Sequence, residues 1–62
     1  MANFILVEDV NISSDIIINF EVVESISVSP TNPKLTNIYL KNGKIFNVKE
    51  SVSEIFSFMM RY

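Results

Sequence analysis

Thr36-Asn37-Ile38-Tyr39-Leu40-Lys41-Asn42-Gly43-Lys44-Ile45-Phe46-Asn47-Val48 is the stretch that decides the fold of this chain. It places the chain's single glycine, Gly43, after an asparagine and between two runs that alternate apolar and polar residues. That pattern signals a β-hairpin. Two loop lengths compete for it. A two-residue turn sets Leu40 opposite Ile45 and leaves Phe46 and Val48 on the face opposite to Ile38. A three-residue loop, Lys41-Asn42-Gly43 with Gly43 left-handed, pairs Ile38 with Phe46 and Thr36 with Val48. It gathers Ile38, Leu40, Phe46 and Val48 on one face. A slip of one residue would turn that whole apolar set outward, so the sequence selects the three-residue loop. Tyr39 and Ile45 then become cross-strand neighbours on the other face.

The chain leaves this hairpin through Ser51-Val52-Ser53-Glu54, which reads as a capping box at the start of a helix. The Ser51 hydroxyl can accept from the Glu54 amide, and the Glu54 carboxylate can reach back to the Ser51 amide. Val52, Ile55, Phe56 and Met59 fall on one stripe, expected to face the sheet. Phe58, Met60 and Tyr62 fall off that stripe and suit an adaptable contact surface.

Upstream, Phe4-Ile5-Leu6-Val7 is an apolar run read as a strand, and Asp9 to Ser14 reads as a turn. Ile16-Ile17-Ile18 is a β-branched run too short for a helix, and Asn19-Phe20-Glu21 reads as a break or single turn. From Val22 to Ser29 the residues alternate. Val22, Glu24, Ile26 and Val28 lie on one face, and Val23, Ser25, Ser27 and Ser29 on the other. Pro30 and Pro33 stiffen the one long loop, Ser29 to Lys34, and end the strand. The expected architecture is α+β, a single domain over residues 1–62. It is a small antiparallel β meander of four or five strands with one C-terminal helix packed on one face.

Composition restricts the chemistry. The chain has 62 residues, no Cys and no His, so disulfides, thiolate metal sites, the commonest metal ligand and the commonest general base are all missing. One glycine cannot build a phosphate cradle. Glu8 and Asp9 are adjacent, but neighbouring strand residues point to opposite faces. Asp15, Glu21 and Glu24 lack the spacing of a calcium loop. The reading is a non-enzymatic protein with no catalytic residue, metal or cofactor. A net charge of −2 argues against a nucleic-acid partner, which selects a basic face.

Size points instead to self-association. A chain of about 60 residues buries only about 60% of the surface it exposes when unfolded. Without disulfide or metal, an oligomer is the remaining means of stabilisation. Yet 48% of the residues are hydrophobic, more than one thin sheet and one helix can cover. A homodimer or higher oligomer is expected, burying parts of Tyr39, Ile45, Phe58, Met60 and Tyr62. Met1-Ala2-Asn3 lacks the basic start of a signal peptide, and no apolar run reaches the ~18 residues of a membrane span. With the absence of Cys, this suggests a cytoplasmic protein. Richness in Asn, Ile, Lys and Phe suggests an AT-rich phage or bacterial genome.

The stretch Ile38-Tyr39-Leu40-Lys41-Asn42-Gly43-Lys44-Ile45-Phe46-Asn47-Val48-Lys49-Glu50-Ser51-Val52-Ser53-Glu54-Ile55 resembles the ending of the small flagellar and swarming-motility protein family (FlbD-like). Val22-Val23-Glu24-Ser25-Ile26 looks like that family's preceding strand, so the resemblance covers the C-terminal two-thirds. It implies a hairpin followed by a capped helix, a motility accessory role and no catalytic residue. Three functions are carried forward. The first is a self-associating module that binds and modulates a larger protein, as a phage or mobile-element inhibitor or adaptor would. The second is the motility accessory, and the third a small-ligand sponge with its site between subunits.

Overall fold

The structure is a computed structural model that describes residues 4–60; the side chains of residues 59 and 60 lie outside that description. Five strands and a C-terminal helix follow in the order β1 (Phe4–Asp9), β2 (Ser14–Asn19), β3 (Val23–Val28), β4 (Thr36–Leu40), β5 (Ile45–Val48) and α1 (Val52–Met60). A single 3-10 turn, Phe20–Val22, joins β2 to β3. The fold is α+β, a five-stranded antiparallel sheet with one helix. The strand order is β2-β1-β5-β4-β3, so the last strand returns to lie beside the first.

The β4–β5 hairpin has the three-residue loop that packing demands. Ile38 pairs with Phe46, Thr36 with Val48 and Tyr39 with Ile45. The Leu40 amide donates to the Lys44 carbonyl at 2.8 Å, and the Gly43 amide to the Leu40 carbonyl at 3.0 Å. Gly43 has φ +92°, a conformation that costs other residues a clash with their own Cβ. Asn42 Oδ1 accepts from the Lys44 amide at 2.9 Å and holds the loop from the side.

The register implies a curl. Asn19 lies opposite Phe4 at one end of β1, and Val23 lies opposite Leu40 at the far end of β4. Traced through Asp9↔Val48 and Thr36↔Val48, these points are nine residues apart along the strands, about 30 Å in a flat sheet. Four interstrand gaps would add about 19 Å across it. The link from Asn19 to Val23 spans at most about 15 Å. The sheet must therefore roll into an open barrel whose edge strands, β2 and β3, meet at the 3-10 turn. A radius of gyration of 10.8 Å agrees with the rolled form, since a compact chain of this length has about 10.6 Å. Among the described residues no ladder joins β2 to β3.

The core is the inside of that roll. Ile5, Val7, Ile18, Ile38, Leu40, Val48 and Ile55 are buried, with Ile16, Phe20, Val23, Ile26, Phe46 and Phe58 packed against them. Two features depart from the expected pattern. In β3, Val23 and Ile26 both pack inward, although a two-residue period would place them on opposite faces. A β-bulge between Val23 and Ser25 absorbs one residue and switches the phase. In α1, Ile55 is only 1% exposed and Val52 and Phe58 are half-buried, whereas Phe56, expected to face the sheet, is 57% exposed. The helix sits beside β3 and turns a narrow i, i+3, i+6 ridge of Val52, Ile55 and Phe58 away from solvent. The Met59 side chain, expected on the same stripe, lies outside the described residues.

Local devices complete the frame. Ser51 Oγ accepts from the Glu54 amide at 3.1 Å, and Glu54 Oε1 accepts from the Ser51 amide at 3.0 Å. These are the two reciprocal bonds of a capping box. Asn19 caps the 3-10 turn, its Oδ1 accepting from the Glu21 amide at 3.0 Å. The proline loop closes on itself through Ser29 N–H to Leu35 C=O and Leu35 N–H to Asn32 C=O, both 3.0 Å.

Candidate interaction surface

The outer face of the β1–β2 hairpin gathers three of the exposed large hydrophobic residues among those described, Phe4, Leu6 and Ile17. Alternation turns Ile5 and Val7 inward, so Phe4 and Leu6 must point out. Leu6 lies directly opposite Ile17, and the two are 57% and 69% exposed. Phe4, also exposed, extends the patch, facing Asn19 across the ladder. The next pair along the same face is Glu8 and Asp15, two carboxylates directly opposed. The hairpin therefore presents an apolar row with an acidic border, on a strand, β2, that ends the sheet.

Sequence reasoning did not single out this patch. Phe4-Ile5-Leu6-Val7 and Ile16-Ile17-Ile18 are continuous apolar runs, the pattern of strands covered on both faces. The signal that could have exposed it is arithmetic: one nine-residue helix cannot cover both sides of five strands, and here it sits beside β3.

Of the residues expected at an interface, Tyr39 and Ile45 come together and Phe58 lies elsewhere. Tyr39 and Ile45 are cross-strand neighbours on the outer face, as the hairpin register requires. Ile45 is exposed, but Tyr39 is half-buried and its hydroxyl accepts from Asn37 Nδ2 at 3.2 Å. Asn47 Nδ2 donates to Asn37 Oδ1, and Asn11 Nδ2 to Asn47 Oδ1 at 3.3 Å. A row of amides thus borders Tyr39 and makes this face mostly polar. Phe58 packs against the core on the inner side and does not share a surface with Tyr39 and Ile45. The Met60 side chain and Tyr62 lie outside the described residues.

A second apolar feature lies between α1 and β3. An open groove of about 270 Å³ is lined by Phe20, Val23, Ile26, Val52, Ile55 and Phe56, with Glu24 and Ser25 at its edge. It follows from the narrow helix ridge, which leaves the flank of β3 partly bare. Gly43 serves the hairpin turn, and Ser51 and Glu54 serve the helix start.

Among the described residues no group of three or more His, Cys, Asp and Glu side chains is placed to hold a metal ion. No helix among them is long and apolar enough to cross a membrane. Comparison with family models, curated proteins and solved structures finds no match for this chain.

Proposed function

We propose that this chain is a non-enzymatic, self-associating protein-interaction module that binds and modulates a larger protein, in the manner of a phage or mobile-element inhibitor or adaptor. One observation carries the reading: the Phe4, Leu6 and Ile17 patch, solvent-facing on an edge hairpin of a chain with little surface to spare. Contiguous apolar patches on small proteins mark contact sites. The absence of His and Cys from the sequence supports a binding rather than a chemical role. Sedimentation of the full chain at micromolar concentration tests the first half, and a stable monomer counts against it. Affinity capture with wild-type chain and with a Leu6→Lys/Ile17→Lys variant tests the second half. A partner retained by wild type and lost by the variant supports it, and equal recovery by both opposes it.

A second reading, a flagellar or swarming-motility accessory, draws on the resemblance of residues 38–55. A neighbourhood of flagellar or motor genes would favour it, and a prophage neighbourhood would favour the first.

A further inference from the structure

We infer that β2 pairs with β2 of a second copy, antiparallel, about a two-fold axis through Ile17, so that one sheet runs through both molecules. This rests on the self-association reading and names its surface. β2 ends the sheet, and among the described residues no strand lies on its outer side. Every second residue of an antiparallel edge directs its amide and carbonyl outward, where another strand can take them. The sequence Ser14-Asp15-Ile16-Ile17-Ile18-Asn19 contains none of the lysines or prolines that commonly block such an edge.

The register follows from charge and shape. An axis at Asp15 would set two carboxylates against each other, and an axis at Ile18 would bring Asp15 level with Glu21 of the other copy. An axis at Ile16 would place Ser14 against Ile18. Centred on Ile17, the strand is its own complement. Ile17 meets Ile17, Ile16 meets Ile18, and Asp15 meets Asn19, twice by symmetry. The last pair is prepared within each copy. Asn19 Oδ1 is already committed to the Glu21 amide at 3.0 Å, which leaves its Nδ2 to serve as the donor. Asp15, exposed and on the same outer face as Asn19, supplies the acceptor. On that face the dimer aligns Leu6–Ile17–Ile17–Leu6 in one continuous row across four strands.

Three variants test this in the full chain. Asn19→Asp keeps a carboxylate oxygen to cap Glu21 but opposes two like charges across each end of the interface. The dimer dissociation constant should rise by about tenfold with the circular dichroism spectrum unchanged. Asp15→Asn/Asn19→Asp rebuilds the pair in reverse order and should recover most of that loss. A chain without Cys also allows a direct probe. Ile17→Cys should form a disulfide-linked dimer under mild oxidation, because facing strand residues have Cα atoms about 4.5–5.5 Å apart, within disulfide reach. Leu6→Cys, one strand further out, should remain without a crosslink under the same treatment. If the wild type dimerises but Ile17→Cys fails to crosslink, or the charge swap fails to restore affinity, this interface is overturned and self-association stands. Crosslinking of Leu6→Cys as fast as that of Ile17→Cys points to face-to-face packing and also overturns it. A wild-type monomer removes both.

Discussion

The carboxylate of Glu50 accepts a hydrogen bond from the backbone amide of Glu8, 42 residues earlier, at 3.0 Å. The seam between β1 and β5 is short, with Asp9 and Val48 as its one paired position. Two backbone bonds flank that pair, Val10 N–H to Asn47 C=O and Lys49 N–H to Glu8 C=O, both 3.0 Å. Past Lys49 the chain turns toward α1, and the Glu50 side chain satisfies the amide that the backbone no longer reaches. Glu50→Ala should lower stability by about 1–2 kcal/mol, the cost of leaving a part-buried donor without its charged acceptor. Glu50→Gln, which retains an oxygen, should lose about half as much. Urea denaturation of the three proteins measures the difference, and equal midpoints would show that the bond contributes nothing.

Gly43 offers a test in which packing plays no part. A Cβ added there meets no atom within 4 Å, so any penalty comes from its φ of +92°. Gly43→Ala should cost about 1–2 kcal/mol, and Gly43→Asn less, since asparagine tolerates the left-handed region better. Thermal denaturation distinguishes them; identical melting temperatures for wild type and Gly43→Ala would contradict the strained-turn account.

Ile55 and Phe56 are adjacent in sequence and opposite in environment. Ile55→Ala should cost about 2–5 kcal/mol, because it empties a site in the core. Phe56→Ala should change stability by less than about 1 kcal/mol, as expected for a surface position. The reverse order of effects would mean that the helix is rotated from the described orientation.

Ser51 and Glu54 act as one unit. Ser51→Ala should cost about 1 kcal/mol. Glu54→Ala should cost a similar amount, and the double variant less than the two together, because each bond holds its partner's geometry. Strict additivity in a double-mutant cycle would argue that the two bonds are independent.

Glu8 and Asp15 oppose each other on one face of the hairpin, and like charges in that position are destabilising. Glu8→Lys should therefore stabilise the chain by about 0.2–1 kcal/mol, with the gain shrinking as salt is added. Melting temperatures at low and high ionic strength check this; a destabilised variant at low salt would refute it.

Much of this fold can be read locally, and the exceptions have physical causes. The β4–β5 register follows from where Ile38, Leu40, Phe46 and Val48 must go, and the helix start from the four residues Ser51 to Glu54. Both signals lie within a few residues of what they determine. The bulge in β3 does not show, because Val23-Glu24-Ser25-Ile26 alternates well enough to pass for a regular strand. The phase of α1 does not show either, since Phe56 and Phe58 are both apolar and only where the helix docks in the folded chain chooses between them. The return of β5 to β1 has no local signature at all: Asp9 and Val48 are far apart in sequence. The candidate surface was hidden for the same reason, as Leu6 and Ile17 read as interior until the helix is known to lie elsewhere.

The narrow seam also divides the molecule mechanically. Residues 4–19 form one tightly laddered hairpin and residues 23–48 a three-stranded unit, joined laterally by Asp9↔Val48 and a handful of flanking bonds. Free energy of opening is seldom uniform through a structure, and its weakest boundary is where few bonds cross. Side chains hold the two halves together where few backbone bonds do, since Ile5, Val7 and Ile18 of the hairpin share one core with Ile38, Leu40, Val48 and Ile55. Amide exchange should therefore lose protection first at Glu8, Val10 and Lys49, the donors of the seam, ahead of the interior of either ladder.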